Sequence, residues 1–259
     1  ESFSVRFTEE FFDESKYQQL MTKDTGIKNN DILILPDMIG ENFESVIFQS
    51  EQPIFRTAPT PLYYLSRMVN EKNYKVVLTG EGADEVAWGY NIFKETLIRS
   101  QLCKNPNDEK WLSKIVELNA HLPQYTKRYE KFLIDFYKKS LNNSPSPFFS
   151  HQIRMQNGQN VLKFLKPEFK DLVLATNCKE EISSKLSKDF DRWNPLQKAQ
   201  YLEMKTLLAG YLLSSQGDRM SMSHSVEGRY PFLDHNVVET FTEVPDSLKL
   251  HNMEEKYLL

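Results

Sequence analysis

The segment YKVVLTG at residues 74–80 is a run of β-branched and aliphatic residues that ends at a glycine, and EGADE follows it directly. A short apolar run closed by a turn residue reads as a buried strand. A strand buried on both faces belongs to a parallel sheet covered by helices, and parallel strands need crossover connections. The first hundred residues supply the other parts. SFSVRF at 2–7 alternates as a short strand, and DILILP at 31–36 reads as a second strand stopped by Pro36. Between them the spacing predicts a helix near 14–25, with Asp13 or Ser15 as its N-cap. Residues 39–51 and LYYLSRMVNEK also have helical spacing, while PIFRTAPTP at 53–61, with Pro53, Pro59 and Pro61, reads as an irregular loop. After about residue 90 the pattern changes to helical periodicity at 108–120, 127–141, 179–188 and 194–213, with a turn cluster NNSPSP at 142–147. The expected fold class is therefore α/β: one domain over 1–259, with a parallel-sheet part over 1–100 and a mainly helical part over 101–259.

Composition removes several function classes. With 259 residues, 40% of them hydrophobic and 12% aromatic, the chain can bury a substantial core. Its 32 basic and 36 acidic residues nearly balance at a net charge of -4, and no long basic run occurs. That leaves no electrostatic footprint for nucleic acid or for an anionic membrane. No apolar run approaches the ~20 residues that span a bilayer, and the start has no signal-peptide pattern. Cys103 and Cys178 form neither a CxxC pair nor a zinc pattern, which points to a reducing compartment, and the cytoplasm is the expected location. The sequence opens without Met, inside a strand-like segment, so a preceding segment is expected.

Four places can carry chemistry. In open α/β sheets ligands bind beyond the carboxyl ends of the strands, which is where TGEGADE, residues 79–85, falls. Its glycines allow close backbone approach, and hydroxyl and N–H groups in such a loop can hydrogen-bond a phosphate. Carboxylates beside phosphate need a hard cation, so Asp84 and Glu85 are the candidate Mg²⁺ ligands. Glu81 could accept a proton from an attacking amine. Spacing leaves the alternative open that this is a polar strand-to-helix turn, with Asp84 and Glu85 favourably placed at a helix N-terminus. In GDRMSMSHSVEGRYPFLDHNVVE, residues 217–239, Asp218, Arg219, Glu227, Arg229 and Asp234 suggest a paired network, with a supporting role for Glu227, Arg229 and Asp234 favoured over direct catalysis, and His224 suggests a packed or capping histidine rather than a metal ligand. Arg56, in a Pro-bounded loop, could grip a carboxylate bidentately or be a solvated arginine. Lys256 in MEEKYLL would pass for a lysine lying along a helix surface.

Taken together these segments resemble the synthetase domain of the glutamine-dependent asparagine synthetases. TGEGADE is similar to that family's SGEGADE loop, GDRMSMSHSVEGRYPFLDH to its DRMSMAHSxExRxPFLD signature, FSVRF to its FS-V/I-x-F strand, and EEKYLL to the start of its EKxxLR helix. The order and separation agree over essentially the whole chain, and residues 100–200 are the least diagnostic. The resemblance implies a Rossmann-like ATP-pyrophosphatase (adenine nucleotide α-hydrolase-like) remainder followed by a helical half. It also implies a reaction in which ATP adenylates the side-chain carboxylate of aspartate, and ammonia from a glutaminase domain then displaces AMP. Carried over, Val5, Thr79 and Gly80 would line the adenosine pocket and Asp84, with Glu85, would hold Mg²⁺. Glu81 would take the proton from ammonia, Lys256 would meet the phosphates, and Arg56 would hold the substrate carboxylates. A homodimer is left open.

The sequence departs from the family's pattern in places. The pyrophosphate loop SGGxDS, expected on a strand just before residue 1, and the glutaminase domain with its N-terminal Cys are not within this sequence, so the chain alone is expected to be inactive. The family's GGY reads Trp88-Gly89-Tyr90 here, which places a bulky ring near the expected substrate pocket. The chain ends three residues after Lys256, before the family's Arg. Two rival readings follow. In one, the same chemistry acts on another carboxylate, as in β-lactam-forming or other amidating synthetases; there a Tyr–Glu pair replaces the Glu base, and the retained Glu81 favours an ammonia acceptor. In the other, the chain is a non-catalytic homologue that serves as a binding subunit, against which the joint retention of Glu81, Asp84 and Lys256 argues.

Overall fold

A computed structural model of the chain describes residues 1–9, 13–120, 127–141 and 146–259, so most of the turn cluster at 142–147 lies outside the described residues. The chain is a mostly helical α/β protein with small sheets and forms two compact units. The first comprises Glu1–Ala83 and Lys205–Thr242, the second Asp84–Met204 and Glu243–Leu259.

In the first unit, strand β1 (Ser2–Phe7) pairs in parallel with β2 (Asn29–Ile34), in a register from Ser2 opposite Asn29 to Phe7 opposite Ile34. The helix Ser15–Thr25 links them and ends at Gly26, whose φ of 67° gives the left-handed closure for which glycine is suited. Asp13 does not cap this helix: its carboxylate accepts instead from the Ser15 hydroxyl at 2.7 Å and the Phe7 N–H at 3.4 Å. Pro36 does more than end a strand. It opens the helix Pro36–Glu41, which is followed after Asn42 by Phe43–Ser50. The proline-rich loop is likewise shorter than expected, because Pro59 begins the helix Pro59–Glu71, a position at which proline's missing N–H costs nothing. This helix packs on β1 and β2, buries Tyr64 and Val69, and donates the Ser66 hydroxyl to Met220 O at 2.8 Å.

The main correction concerns residues 74–80. The strand β3 is only Val76–Leu78, paired in parallel with β4 (Glu227–Arg229), and it is not buried. Val76 is 37% and Leu78 74% exposed. A Val-Val-Leu run is coded for cover on both faces, but among the described residues β4 is the one strand paired with it, and the face carrying Val76 and Leu78 stays open. The expected charge network is also redistributed. Arg229 pairs with Glu227 at 2.7 Å and Arg219 pairs with Glu51, whereas Asp218 accepts from the Tyr230 hydroxyl at 2.6 Å and Asp234 from the Asn236 N–H at 2.9 Å. His224 is a packed histidine, 2.9 Å from the Ser66 hydroxyl and edge-on to Tyr63.

The second unit is helical, with helices that include Asn91–Lys104, Glu109–Asn119, Lys127–Ser140 and Pro195–Leu202. Asp108 caps the second of these by accepting from the Lys110 and Trp111 N–H groups, and Asn194 with Gln197 forms a capping box on the last. The helical run from Pro195 continues in a wider winding over Glu203–Asp218, from which Lys205 onward belongs to the first unit. A hairpin of β5 (Leu250–His251) and β6 (Glu254–Glu255) closes the second unit's chain. One of its core clusters unites Ile98, Leu102, Ile115, Leu133, Tyr137 and Leu141.

Beside that cluster lies Arg99, with no solvent exposure. Its guanidinium donates to Phe149 O at 2.9 Å and Glu95 Oε1 at 3.3 Å, and rests over the Phe149 ring at 4.3 Å. Burial lowers the Arg99 guanidinium and raises the Glu95 carboxyl, so desolvation outweighs their mutual attraction. A carboxyl raised on folding binds its proton more tightly in the folded chain. Its contribution is complete below the ordinary value of 4.5 and is lost as pH rises through the raised value. We therefore expect Glu95→Gln to flatten the fall in urea midpoint between acid and neutral pH. At the same time it should lower stability by roughly 1–3 kcal/mol, because Arg99 loses a charged partner. Urea titrations at several pH values check both parts, and a slope equal to the parent's would place the titration elsewhere.

Candidate functional site

The TGEGADE loop passes from one unit to the other between Ala83 and Asp84, so each side has its own setting. On the first side, the Thr79 N–H donates to Arg229 O at 2.9 Å, which extends the β3–β4 ladder by one bond. The Thr79 hydroxyl accepts the Glu81 N–H at 3.4 Å and Gly80 O accepts the Ala83 N–H at 3.1 Å, folding the loop into a tight turn. Gly82 takes φ 94°, and a Cβ there would lie 2.3 Å from Leu233 Cδ2, so glycine is required on both conformational and steric grounds. Glu81 is half-buried, and its charge helps to raise the Tyr230 hydroxyl's pKa, after burial and the neighbouring Asp218. Val5 lies in β1, where its carbonyl accepts from Gln18 Nε2 at 3.2 Å. Arg56 is exposed, its guanidinium over the rings of Phe55 and Tyr211 at 5.0 and 5.2 Å; among the described residues no carboxylate pairs with it.

On the second side the two acidic neighbours separate. Asp84 is about one-third exposed, and its Oδ1 meets Lys256 Nζ at 2.9 Å, so two residues named from distant sequence segments come together. Glu85 turns inward instead. It is 1% exposed, its Oε1 accepts from the Tyr90 hydroxyl at 2.9 Å, and Oε2 has no partner. Burial raises the Glu85 carboxyl. Glu85, expected with Asp84 as a Mg²⁺ ligand, is thus enclosed within the unit and tied to Tyr90, while Asp84 is the more open of the two. Among the described residues no three His, Cys, Asp or Glu side chains group closely enough to hold a metal by themselves. The donor set suits Mg²⁺ only as one carboxylate, Asp84, shared with phosphate oxygens and water, which is an ordinary arrangement for that ion.

Gly89 makes the Asp84–Lys256 pair sterically feasible. A Cβ at Gly89 would sit 2.0 Å from Asp84 Oδ1 and 2.9 Å from Lys256 Cε. The Gly89 N–H donates to Asp84 O at 2.8 Å, which closes the turn. Trp88 does not intrude on this face. With φ 59° and no exposure, its ring stacks against Phe93 in a cluster with Ile92, Leu196, Ala199 and Leu250. Its Nε1 donates to Gln200 at 3.1 Å, and the Lys249 ammonium lies 4.8 Å above it. The ring that the sequence places near the expected substrate pocket is thus turned into the core by its left-handed backbone. Sequence reasoning missed Gly89 as a steric necessity, although the small residue between Trp88 and Tyr90 was its visible signal.

A family model described as asparagine synthase matches residues 1–259. Asparagine synthetase [glutamine-hydrolyzing] 1 of Bacillus subtilis (strain 168) is 27% identical over 261 residues, which cover 100% of this chain and 38% of that protein. Amidase chyE of Penicillium rubens is 28% identical, covering 99% of this chain and 40% of its own. Amidase chry2 of Gibberella zeae is 26% identical, covering 98% and 38%. The chain thus spans about two-fifths of the length of these relatives.

Gly89→Ala is expected to push the ends of the Asp84 and Lys256 side chains apart, at a cost of about 0.5–1 kcal/mol because both are partly exposed and can move aside. Gly158→Ala, in the helix Gln152–Gln159 and with nothing within 4 Å of the added carbon, should instead stabilise by about 0.5 kcal/mol. Urea unfolding of the two variants checks the contrast; equal effects would show that Gly89 is not sterically constrained.

Proposed function

The chain belongs to the asparagine synthase family, and from that premise we propose that it is the synthetase part of an ATP-dependent carbon–nitrogen ligase that turns an aspartate side chain into an amide. What supports the reading most is the pairing of Asp84 with Lys256 over Gly89, which brings a carboxylate suited to a phosphate-bound cation against a lysine suited to the phosphates themselves.

The chemistry has two steps. A carboxylate oxygen of the substrate attacks the α-phosphorus of ATP, and the bond to pyrophosphate breaks. Ammonia, supplied by a glutaminase partner domain, then attacks the acyl carbon, the bond to AMP breaks, and the nitrogen gives up a proton. Lys256 stabilises the charge that builds on the phosphates in the first step. Asp84 holds Mg²⁺, which neutralises phosphate charge when bound. Glu81 accepts the proton in the second step. Val5, Thr79 and Gly80 contact the adenosine through the backbone and hydroxyl, and Arg56 orients the substrate's carboxylates. Glu85 has no direct part and supports the turn through Tyr90. The small parallel pairs β1–β2 and β3–β4 are, on this reading, portions of a Rossmann-like ATP-pyrophosphatase sheet.

The acceptor is the open variable. Relatives of comparable similarity bear the names of asparagine synthetases and of amidases, which favours, as the second reading, the same chemistry on another carboxylate. The test is pyrophosphate release by the complete gene product with ATP, Mg²⁺, ammonia and a panel of carboxylic amino acids. Release that depends on aspartate, with asparagine formed, supports the first reading; release with another acid supports the second; no release with any acid rejects both. In the active protein Glu81→Gln should keep pyrophosphate exchange while amide formation falls by at least about 100-fold. Loss of both together would remove Glu81 as the second-step base. Asp84→Asn should lose both steps, and near-normal exchange at low Mg²⁺ would contradict its metal role.

A further inference from the structure

We propose that Lys94 is a positioning residue for Lys256 and acts through Glu255, an inference that rests on the reading of Lys256 as the cation meeting phosphate. Lys256 follows the β5–β6 hairpin, in which Leu250 pairs with Glu255 and His251 with Glu254. The turn residues Asn252 and Met253 and then Lys256 itself have φ of 49°, 71° and 51°. Side chains other than glycine rarely adopt this region, and where they do the surroundings hold them there.

Those surroundings are identifiable. Met253 packs against the cluster of Ile98, Leu102 and Ile115, Leu250 is buried beside Trp88, and the Tyr257 ring lies 4.5 Å from that of His251. Apolar contacts hold the hairpin down, but they set the direction of residue 256 only loosely, because dispersion and burial are not directional. An ionic contact adds a second restraint. Lys94, on the helix Asn91–Lys104, pairs its ammonium with Glu255 Oε2. Glu255 precedes Lys256, so fixing the one fixes the backbone from which the other reaches Asp84. Lys94 in turn stands five residues before the buried Arg99, on a helix whose rotation would break the guanidinium's bond to Phe149 O. Lys94, Glu255, Lys256 and Asp84 thus form a row of alternating charge that runs from the rigid helix to the open carboxylate. Removing the first member leaves Glu255 without its counter-ion, and the left-handed backbone after it loses its restraint.

Lys94→Met and Lys94→Arg test this with two readouts. The first needs no turnover: the rate at which a small acylating reagent modifies the Lys256 amine, followed by peptide mass spectrometry. Lys94→Met should raise that rate severalfold, as should Asp84→Asn, and Lys94→Arg should leave it unchanged. The second is acid-dependent pyrophosphate exchange by the complete gene product. Lys94→Met should lower kcat by about 100-fold, the penalty for a misplaced charge near the reacting centre, with KM for the acid unchanged and with Lys94→Arg restoring most of the rate. Unchanged modification of Lys256 in Lys94→Met, or equal losses in the Met and Arg variants, would overturn the positioning role. If the parent protein releases pyrophosphate with no acid, the synthetase reading fails, and the modification rates still decide whether Lys94 positions Lys256.

Discussion

A guanidinium with no exposure must be neutralised and hydrogen-bonded where it lies, and Arg99 imposes that demand on the second unit. Glu95 answers from one turn earlier on the same helix, and the Phe149 carbonyl answers from the segment that follows Lys127–Ser140. Of the two, the bond to Phe149 O reaches outside the helix Asn91–Lys104 and resists its rotation, whereas the Glu95 pair is internal to it. Everything that matters on the open side of this unit hangs from that helix or precedes it directly. Gly89 and Tyr90 lead into it, and Phe93 offers the surface on which Trp88 stacks. The cost of burying the ion pair, visible in the opposite pKa displacements of its members, is exchanged for a helix that resists rotation.

From that fixed helix the open face follows by short covalent and steric steps. Asp84 and Glu85 are adjacent and chemically alike, yet one is presented outward to Lys256 and the other is enclosed with Tyr90. The turn between Asp84 and Gly89 separates them: its closing bond from the Gly89 N–H to Asp84 O leaves room on one side only, and the room is exactly bounded by the absence of a side chain at Gly89. The Asp84–Lys256 pair is thus accommodated less by adding groups than by withholding a methyl group.

Much of this was legible in the sequence, for different reasons at different places. The alternation of SFSVRF and the apolar run before Pro36 mark the β1–β2 pair because side-chain period is a local property. Asp108 and Asn194 mark helix starts because capping is local too. The heptapeptide TGEGADE and Lys256 stand out through resemblance, and the structure brings Asp84 and Lys256 together. What was not legible depends on direction and on distant partners. The inward turn of Glu85 and the core-facing indole of Trp88 follow from backbone torsions that residue identity does not reveal, and a left-handed tryptophan is contrary to expectation. Lys94 and Glu255 are ordinary surface residue types in distant segments, so nothing short of the fold joins them. The exposure of β3 was misread because composition reports the environment a segment is suited to, not the one it has.

That mismatch at β3 has a colloidal consequence. The two strands of this sheet treat their surroundings differently. β4 carries Glu227 and Arg229 as a paired, well-hydrated couple, while β3 presents Val76 and Leu78 to water on one face. Charged side chains discourage a second sheet from stacking or extending a strand pair, and bare aliphatic ones invite it. In the register of the pair Val76 stands opposite Glu227 and Leu78 opposite Arg229, so the aliphatic and charged couples share the open face, and the charged one limits what can stack on the other.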